Sequence, residues 1–376
     1  MHEHYMELAM KLASSARGQT SPNPLVGAVI VKNNEIVGMG AHLKAGEWHA
    51  ERHALQMAGE KAKDAVMYVT LEPCSHYGRT PPCADAVIAA GIKEVYVAMA
   101  DPNPKVAGAG ISKLRNAGIS VHVGLLQEKA AALNEIFFYH LQSQKPYVTL
   151  KSATSLDGKI ATYRGESQWI TGEAARLDAH KLRHEHDGIL VGINTVLADD
   201  PALTTRLAGG GRHPIRIILD RQLRTPLQTK VVADNAASTW IVTLASAAEE
   251  KKQALRKAGV KVIEFTDKID ISRLLTFLGE NGISSLLVEG GGTINDAFLR
   301  AGEFQQVIVY LAPKIIGGEK APGSFGGAGI AGLAEAPGLV LESMETLDDD
   351  VKLVYKKGVD ESCLPELLKK KGRLCK

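Results

Sequence analysis

Three residues in the first hundred of the chain carry the side chains of a zinc site, and a fourth carries a carboxylate. Two thiolates, Cys74 and Cys83, and the neutral imidazole of His49 would neutralise Zn²⁺ and leave its fourth tetrahedral position open for water. Glu51 follows His49 by two positions and can reach that water without ligating the metal. A carboxylate placed there takes a proton from the water and passes it to a leaving amine. The pattern predicts hydrolytic deamination with Glu51 as the catalytic residue.

Two helices are predicted to position these ligands. A helix-like run leads from His49 to Gly59, and Pro82-Cys83 opens a second run that ends at Gly91. Proline suits the first position of a helix, because the donor that it lacks would be unpaired there. Both sets of ligands then lie at helix N-termini, where the helix dipole favours ionised sulfur.

Two other interpretations use the same residues. A closed structural zinc site needs a fourth ligand, which His53 or His76 would supply. His49 and His53 also lie four residues apart, as in a metalloprotease helix. The glutamate of that motif directly follows the first histidine, whereas here it stands one position later, and both cysteines are left without a role.

The cysteine spacing departs from the usual C-x-x-C deaminase pattern, because eight residues separate Cys74 from Cys83. The segments 72–83 and 20–27 resemble the deaminase half of the bifunctional riboflavin-biosynthesis deaminase/reductase family. Residues in loops near the metal motifs carry the groups that an aminopyrimidinone and its phosphate need, although each also suits a turn or a surface. These candidates are Asn23, His42, His76, Arg79 and Asn103; Asn23 is the best of them, because the prolines on either side hold its amide in place.

Four later segments, 145–161, 167–171, 192–206 and 289–295, resemble the reductase half of the same family, which has a dihydrofolate-reductase-like fold. The resemblance covers roughly residues 1–357. It implies a reductase substrate site formed by Ser167, Arg183, Leu203, Arg206 and Glu289. It implies contacts to the nicotinamide nucleotide, NADPH, from Ala153, Trp169, Thr195, Asp199, Gly291, Gly292, Thr293 and Asn295.

Physical arguments for this second site are weaker than those for the first. Three glycines, 290–292, follow an apolar run and predict a phosphate cradle at a helix start, but a plain turn fits them equally well, because the G-x-G-x-x-G pattern is absent. Arg183 and Arg206 suit bidentate capture of a 5′-phosphate, although a surface arginine explains Arg183 as well. Lys151 stands alone in an apolar strand, and either reaches the substrate or snorkels to the surface.

A last pair of cations bears on the choice of cofactor. Arg221 and Arg224 follow the predicted strand Ile215–Leu219, and the carboxyl ends of strands are where α/β sheets bind ligands. We predict that one of them contacts the 2′-phosphate of NADPH. Solvated loop arginines are the alternative.

Composition limits the class of protein. A chain of 376 residues with 45% hydrophobic and 23% charged residues is long enough for two globular domains. A net charge of +2 gives no basic footprint for nucleic acid, and no apolar run is long enough for a membrane span. The N-terminus lacks a secretory signal and four cysteines form no disulfide scaffold, which favours a cytoplasmic protein. We expect pyrimidine ribonucleotide substrates, no nucleic-acid or membrane partner, and a homo-oligomer.

Helices that end at glycine alternate with apolar strands in both halves and predict an α/β fold. We expect a cytidine-deaminase-like zinc domain at 1–145, a dihydrofolate-reductase-like domain at 146–357 and a disordered tail at 358–376. Residues Gln127–Gln142 form one amphipathic stretch before the boundary, and the Gly-rich segment Gly317–Gly332 is expected to be a flexible loop.

The resemblance implies two reactions. The first domain would hydrolyse the ring amine of 2,5-diamino-6-ribosylamino-4(3H)-pyrimidinone 5′-phosphate, and the second would use NADPH to reduce the ribosyl group of the product to ribityl. A nucleic-acid deaminase is one alternative, but it leaves residues 146–357 unexplained. A non-catalytic, zinc-stabilised nucleotide-binding module is another.

Overall fold

The computed structural model describes residues 1–77, 81–103 and 107–358. Contacts between Cα atoms divide the chain into two compact units. Unit 1 comprises Met1–Pro146 and Phe277–Ser284, and unit 2 comprises Tyr147–Thr276 and the described residues from Ser285 onward. Arg79 and the tail from residue 359 on lie outside the described residues. No helix within the described ranges is long and apolar enough to cross a membrane.

Unit 1 is built around a mixed sheet with the strand order β2-β1-β3-β4-β5. Strand β1 is antiparallel to both of its neighbours, whereas β3, β4 and β5 are parallel. The strands are β1 (Gly27–Lys32), β2 (Glu35–Ala41), β3 (Val66–Val69), β4 (Glu94–Val97) and β5 (Ser120–Val123). The α-helices are α1 (His2–Ser15), α2 (Ala50–Ala58), α3 (Cys83–Ala89), α4 (Ala109–Asn116), α5 (Gln127–Leu133) and α6 (Glu135–Ser143), and a 3-10 turn spans Gly59–Ala62.

Helices cover both faces of this sheet. Alternate residues of the strands point to opposite faces, so Ile30 packs with the helices that carry the predicted ligands, α2 and α3, together with α4. Val29 and Val31 pack on the other face against α1 and α5. The predicted metal residues therefore belong to one layer of a three-layer α/β/α unit.

Two glycines let α2 lie close to β2. A Cβ atom added at Gly38 would be 2.2 Å from the backbone oxygen of Ala54, and one at Gly40 would be 2.3 Å from that of Ala50. Ala50 and Ala54 are fully buried on the matching face of the helix. Small residues on the strand and on the helix thus set the distance between the sheet and the N-terminus of α2. His49 lies at that N-terminus.

The stretch Gln127–Gln142 forms two helices rather than one, since α5 ends at Leu133 and α6 begins at Glu135. The break is at Asn134, which is buried. Its side chain accepts a hydrogen bond from the Leu25 N–H at 2.7 Å and donates one to the Leu25 carbonyl at 2.9 Å. This pair ties the helix break to the loop that follows Asn23, which amphipathic periodicity alone does not reveal.

Unit 2 is built around a second sheet with the strand order β10-β9-β8-β7-β11-β6-β12-β14-β13. Strands β10 to β12 in that order are parallel, and β14 and β13 complete the sheet in antiparallel fashion. The strands are β6 (Tyr147–Ser155), β7 (Gly188–Gly192), β8 (Ile215–Leu219), β9 (Thr239–Leu244), β10 (Lys261–Phe265), β11 (Ser285–Val288), β12 (Gln306–Ala312), β13 (Leu339–Leu347) and β14 (Asp350–Lys357). The helices along this part of the chain are α7 (Glu173–Glu185), α8 (Ile193–Asp199), α9 (Lys230–Ala233), α10 (Glu249–Lys257), α11 (Ile271–Glu280) and α12 (Gly292–Ala301), with a 3-10 turn at Leu333–Glu335.

The Gly-rich segment Gly317–Gly332 contains no α-helix or strand, and several hydrogen bonds attach it to unit 2. The Ile160 N–H donates to the Pro322 carbonyl at 2.9 Å, and the Gly326 N–H donates to the Gly292 carbonyl at 3.0 Å. The segment therefore contacts the N-terminus of α12, which begins at the last of the glycines 290–292.

Candidate active sites

The ligand atoms of His49, Cys74 and Cys83 all lie within 4.8 Å of one another. His49 is the N-cap residue of α2, Cys83 is the first residue of α3, and Cys74 follows β3. The Nδ1 atom of His49 is 3.6 Å from the Cys74 sulfur and 3.4 Å from the Cys83 sulfur. Two sulfurs and one imidazole nitrogen at this spacing fit a tetrahedral zinc ion with one open position.

The alternatives raised by the sequence find no support in this geometry. Neither His53 nor His76 joins the group, which is the one cluster of this kind that the described residues form. Hydrogen bonds from the thiol of Cys83 and then from His49 lower the pKa of Cys74, and burial opposes them. The Cys83 backbone N–H also donates to the Cys74 sulfur at 3.3 Å, so the cluster favours the thiolate at Cys74. The hydrogen bond to Cys74 and burial raise the pKa of Cys83, so without metal the pair favours one thiolate.

Glu51 lies in the first turn of α2 and is buried, with 2% of its surface exposed. Its Oε2 atom has no hydrogen-bond partner within the described part of the chain. Burial raises the pKa of this carboxyl to about 7. A group with that pKa exchanges protons readily near neutral pH, as a general acid–base residue must.

A cavity of about 530 Å³, here called the deaminase cavity, is bordered by Glu51 and by His49 and Cys74 of the triad. It is large enough for a nucleotide. Four of the five residues predicted to bind the deaminase substrate line it, and the fifth, Arg79, lies outside the described residues. Its wall includes Asn23, His42, His76 and Asn103 together with His49, Glu51 and Cys74.

The hydrogen bonds of His42 fix how Asn23 faces this cavity. The His42 Nδ1 atom is 3.1 Å from the Trp48 carbonyl, which can only accept, so Nδ1 carries the proton. Burial lowers the pKa of His42, which favours the neutral ring. The His42 Nε2 atom then accepts from the Asn23 amide nitrogen at 3.1 Å. The Asn23 amide oxygen is left as an acceptor for a ligand, an orientation set by His42 in addition to the neighbouring prolines.

Glu72 is a residue of this site to which the sequence analysis gives no role. Its buried carboxylate accepts hydrogen bonds from four backbone N–H groups, at distances of 2.8 to 3.1 Å. The donors belong to Asp101, Gly108, Gly110 and Ile111. Glu72 lies at the strand end that leads to Cys74. Its hydrogen bonds join that strand end to the segments that carry Asp101 and Gly108, on either side of Asn103. Its position two residues before Cys74 was the sequence signal that could have identified Glu72 as part of this site.

Unit 2 contains a larger cavity of about 1040 Å³, here called the reductase cavity. It brings together most of the residues that the resemblance implies for substrate and cofactor. Its wall includes Lys151, Ala153, Ser167, Trp169, Arg183, Thr195, Asp199, Leu203, Arg206, Glu289 and Gly291. The residues Arg221, Gly292, Thr293 and Asn295 do not line it.

A buried charge cluster forms one side of the reductase cavity. Glu289 accepts two hydrogen bonds from Arg183, at 2.7 and 2.9 Å, and lies 3.7 Å from the Lys151 ammonium. Burial raises the pKa of Glu289, but the charges of Arg183 and Lys151 outweigh it and bring the pKa to about 2. The Lys151 side chain is 14% exposed and faces this cluster rather than bulk solvent.

The two arginines predicted to hold the phosphate differ in their environment. Arg183 is committed to Glu289, whereas the guanidinium of Arg206 makes no hydrogen bond or ion pair with any described residue. Burial, and then the charges of Arg183 and Arg206, lower the pKa of His180 to about 4, so its ring is neutral. Arg206 is therefore the cation that remains available to an anionic ligand.

The glycines at the start of α12 differ in their surroundings. A Cβ atom added at Gly292 would be 2.7 Å from the Gly323 carbonyl oxygen, so this glycine permits close contact with the Gly-rich segment. Asn295 is buried and donates to the Ser324 carbonyl at 2.9 Å, while its Oδ1 atom has no partner in the described ranges. Gly291 borders the cavity, whereas Gly292 and Asn295 contact the segment next to it.

The cations after β8 also differ. Arg221 is exposed and does not border the cavity. Arg224 donates to the side-chain oxygen of Asn194 at 2.7 Å, and Asn194 lines the cavity, as does Lys230.

Three further lining residues were missed by the sequence analysis. Arg176 and His180 lie four positions apart on α7, and the Arg176 guanidinium is 4.6 Å from the centre of the Trp169 ring. Their helical spacing with the predicted Arg183 was an available signal. Tyr310 on β12 gave no local signal, because it reads as one more apolar residue of a strand.

Comparisons with known proteins bear on both sites. Residues 146–353 match the RibD C-terminal domain family, and residues 1–99 match the cytidine and deoxycytidylate deaminase zinc-binding region. The chain is 51% identical over 354 residues to riboflavin biosynthesis protein RibD of Bacillus amyloliquefaciens, covering 94% of this chain and 95% of the relative. It belongs to the RibD family.

Other RibD proteins show the same agreement. The protein from Escherichia coli (strain K12) is 45% identical over 364 residues, which cover 93% of this chain and 98% of the relative. A solved structure of Acinetobacter baumannii RibD has a TM-score of 0.86 at 40% identity, covering 95% of this chain and 99% of that chain. A Thermotoga maritima structure described as a diaminohydroxyphosphoribosylaminopyrimidine deaminase/5-amino-6-(5-phosphoribosylamino)uracil reductase has a TM-score of 0.85 at 35% identity, with coverage of 95% and 99%.

Membership in the RibD family confirms three predictions. The fold is α/β, with an N-terminal cytidine-deaminase-like domain and a C-terminal RibD reductase domain. The chain is a bifunctional deaminase and reductase of riboflavin biosynthesis that acts on small pyrimidine substrates. Its cofactors are zinc and NADPH, and the triad of His49, Cys74 and Cys83 fits the zinc.

Proposed function

We propose that the deaminase cavity converts 2,5-diamino-6-ribosylamino-4(3H)-pyrimidinone 5′-phosphate to the aminouracil, and that the reductase cavity reduces the ribosyl group of that product to ribityl. The observation that carries the first reaction is the buried Glu51 carboxyl beside the His49, Cys74 and Cys83 triad in a cavity of nucleotide size. The second rests on a separate cavity that combines the Glu289 charge cluster with an unpaired Arg206. The name of the Thermotoga maritima relative supports the pair of substrates.

His49, Cys74 and Cys83 would hold the zinc, which would lower the pKa of a bound water, and NADPH bound in the reductase cavity would supply the hydride. Glu51 removes a proton from the water that attacks the ring carbon, and its pKa of about 7 lets it return that proton to the amine, which leaves as ammonia. The Asn23 amide oxygen accepts a hydrogen bond from the pyrimidinone ring. In the second cavity Arg206 binds the 5′-phosphate, while Lys151 and Glu289 face the ring-opened ribosylimine. Its C1′=N π bond breaks as C1′ accepts the hydride and the nitrogen takes up a proton.

Assays of ammonia release and NADPH oxidation on the purified full chain test this proposal. We expect ammonia from the diaminopyrimidinone nucleotide, and NADPH oxidation when the aminouracil is supplied. Ammonia release from a polynucleotide but not from the nucleotide would favour a nucleic-acid deaminase. If neither the nucleotide nor a polynucleotide yields ammonia, and NADPH is bound but not oxidised, the result would favour a zinc-stabilised binding module.

We also propose that the chain is a cytoplasmic homo-oligomer. A thiolate zinc site and a nicotinamide cofactor suit a reducing compartment. Strand β13 ends the second sheet, and apolar side chains along it are 42 to 68% exposed: Leu339, Val340, Leu341 and Met344. A long exposed apolar edge strand is normally covered. Light scattering coupled to gel filtration tests the assembly, and a single monomeric mass at micromolar concentration would contradict it.

A further inference from the structure

Tyr310 is a large polar residue held at the centre of unit 2. It lies on β12, where it is paired with Ala153 of β6 and with Lys352 of β14. Only 1% of its surface is exposed, yet it forms part of the wall of the reductase cavity. A buried tyrosine needs a partner for its hydroxyl, and the identity of that partner gives the residue a role.

The partner is Asp178 of α7, which is 7% exposed. The Tyr310 hydroxyl donates to Asp178 Oδ2 at 2.7 Å, and the Lys352 ammonium donates to the same oxygen at 2.5 Å. Burial raises the pKa of Asp178, but the hydrogen bonds from Lys352 and Tyr310 outweigh it and lower the pKa. Burial, and then the charge of Asp178, raise the pKa of Tyr310. The Tyr310 hydroxyl therefore stays protonated and donates to an ionised Asp178 carboxylate.

The ring anchored in this way contacts a charged residue of the cavity. The Lys151 ammonium is 5.5 Å from the centre of the Tyr310 ring, a distance at which a cation interacts with an aromatic ring. On its other side the same ammonium lies 3.7 Å from Glu289, which Arg183 of α7 holds with two hydrogen bonds. Helix α7 thus supplies both anchors: Asp178 for the ring and Arg183 for the carboxylate.

We propose that Tyr310 is a positioning residue for the reduction: with its hydroxyl anchored on Asp178, its ring holds the Lys151 ammonium against Glu289 at the reacting end of the reductase cavity. The inference rests on the proposed function, because it takes Lys151 to face the ribosyl group. Neither Asp178 nor Lys352 lines the cavity, so both act through the ring.

Substitutions at the two ends of the anchoring hydrogen bond test this role in the full chain, and Tyr310→Phe is the more specific of them, because Asp178 also pairs with Lys352. Tyr310→Phe keeps the ring and loses the hydroxyl, and Asp178→Ala removes the acceptor. We expect each to lower kcat for NADPH oxidation on the aminouracil substrate by about three- to tenfold, consistent with the loss of one hydrogen bond, with KM for NADPH unchanged within about twofold. Because both variants remove the same bond, and Asp178→Ala also removes the partner of Lys352, the double variant should lose no more kcat than Asp178→Ala alone. Asp178→Asn keeps an acceptor and should retain most of kcat.

Tyr355→Phe is the matched control, since it makes the same chemical change on the neighbouring strand β14 outside the cavity wall. Deamination by the same samples shows that the rest of the chain is active. A kcat for Tyr310→Phe equal to that of wild type overturns the proposal, as does a parallel rise in KM for NADPH or an additive loss in the double variant. If Asp178→Ala does not fold, Tyr310→Phe and Asp178→Asn still decide between these outcomes. Wild-type protein that oxidises no NADPH on the aminouracil would instead refute the proposed function.

Discussion

At the scale of single residues, burial decides which groups can do chemistry. Glu51 is buried and the Glu289 side chain is 10% exposed, yet burial raises the pKa of the first to about 7, while two cations bring that of the second to about 2. The difference lies in the neighbours, because a lone buried charge is costly and a paired one is not. Glu51 is therefore suited to proton transfer, and Glu289 to fixed charge.

Glu51→Gln keeps the shape of the side chain but cannot accept a proton. We expect ammonia release to fall by at least about 100-fold, within the usual range for a general acid–base group, with zinc bound at full occupancy by metal analysis. NADPH oxidation on the aminouracil should be unchanged. Cys83→Ser serves as the contrasting variant, because it should lose the metal. Loss of zinc from Glu51→Gln would make Glu51 a ligand and refute its assigned role.

Glu289 predicts a pH dependence of stability. Its folded pKa of about 2 lies below the ordinary value of 4.5, so the ionised carboxylate stabilises the fold above about pH 4.5, and this stabilisation is lost as the pH falls toward about 2. The full effect is about 3 kcal/mol. In urea titrations between about pH 6 and about pH 3, Glu289→Gln should lose less free energy of unfolding than wild type. The exposed Glu335→Gln should follow wild type, and identical slopes for all three proteins would contradict the assignment.

At the scale of elements, the apolar strands of the sheets were predicted better than the hairpin that ends the second sheet. The strand predicted at Ile215–Leu219 is β8, with the same bounds, and the helices predicted after His49 and at Cys83 are α2 and α3. Strands β13 and β14 were missed because charged residues such as Glu342, Glu345 and Lys352 interrupt their apolar residues. An antiparallel edge hairpin with exposed faces has this pattern, and its stability comes from pairing with β12, which no local window contains.

The candidate site divides in the same way. The clustering of His49, Cys74 and Cys83 and the position of Glu51 in the same cavity were predictable, because the proposed chemistry needs particular residue types at short spacing. Three other hydrogen bonds join residues far apart in sequence. They link Asn23 to His42, Gly108 to Glu72 and Tyr310 to Asp178. Contacts of that kind depend on the assembled sheet, so one sequence read locally does not reveal them.

The closeness of α2 to β2 leads to a prediction at this scale. Gly40→Ala places a methyl group 2.3 Å from the Ala50 backbone oxygen, so the start of α2 must move away from the sheet. Because His49 caps that helix, we expect zinc affinity, measured by competition with a chromogenic chelator, to fall by about tenfold or more, within the usual range for lost support of a metal ligand. Gly209→Ala is the control, since nothing lies within 4 Å of the added atom. Equal affinities in the two variants would show that the helix start accommodates the methyl group.

At the scale of the whole molecule, the chain carries two compact units, and the described core clusters belong to one unit or the other. Removing zinc should therefore abolish ammonia release while leaving NADPH oxidation on the aminouracil largely intact. Differential scanning calorimetry should show the corresponding effect on stability, because a metal that binds only the folded state raises the Tm of the unit that holds it. A comparable loss of both activities after chelation would mean that the metal stabilises the whole chain.

The hydrogen bonds that Glu72 accepts should slow local opening of the backbone at Asp101 and Gly108. Amide protons outside helices and strands usually exchange with solvent quickly, because no persistent hydrogen bond protects them. The N–H groups of Asp101 and Gly108 lie outside the regular elements, yet both donate to a buried, ionisable side chain. Their deuterium uptake should be as slow as that of the neighbouring sheet, and Glu72→Gln should accelerate both together. The hydrogen bonds of Asp101 and Gly108 would then open only when the strand end that leads to Cys74 opens, so the rate of zinc loss should rise together with their exchange rates in Glu72→Gln.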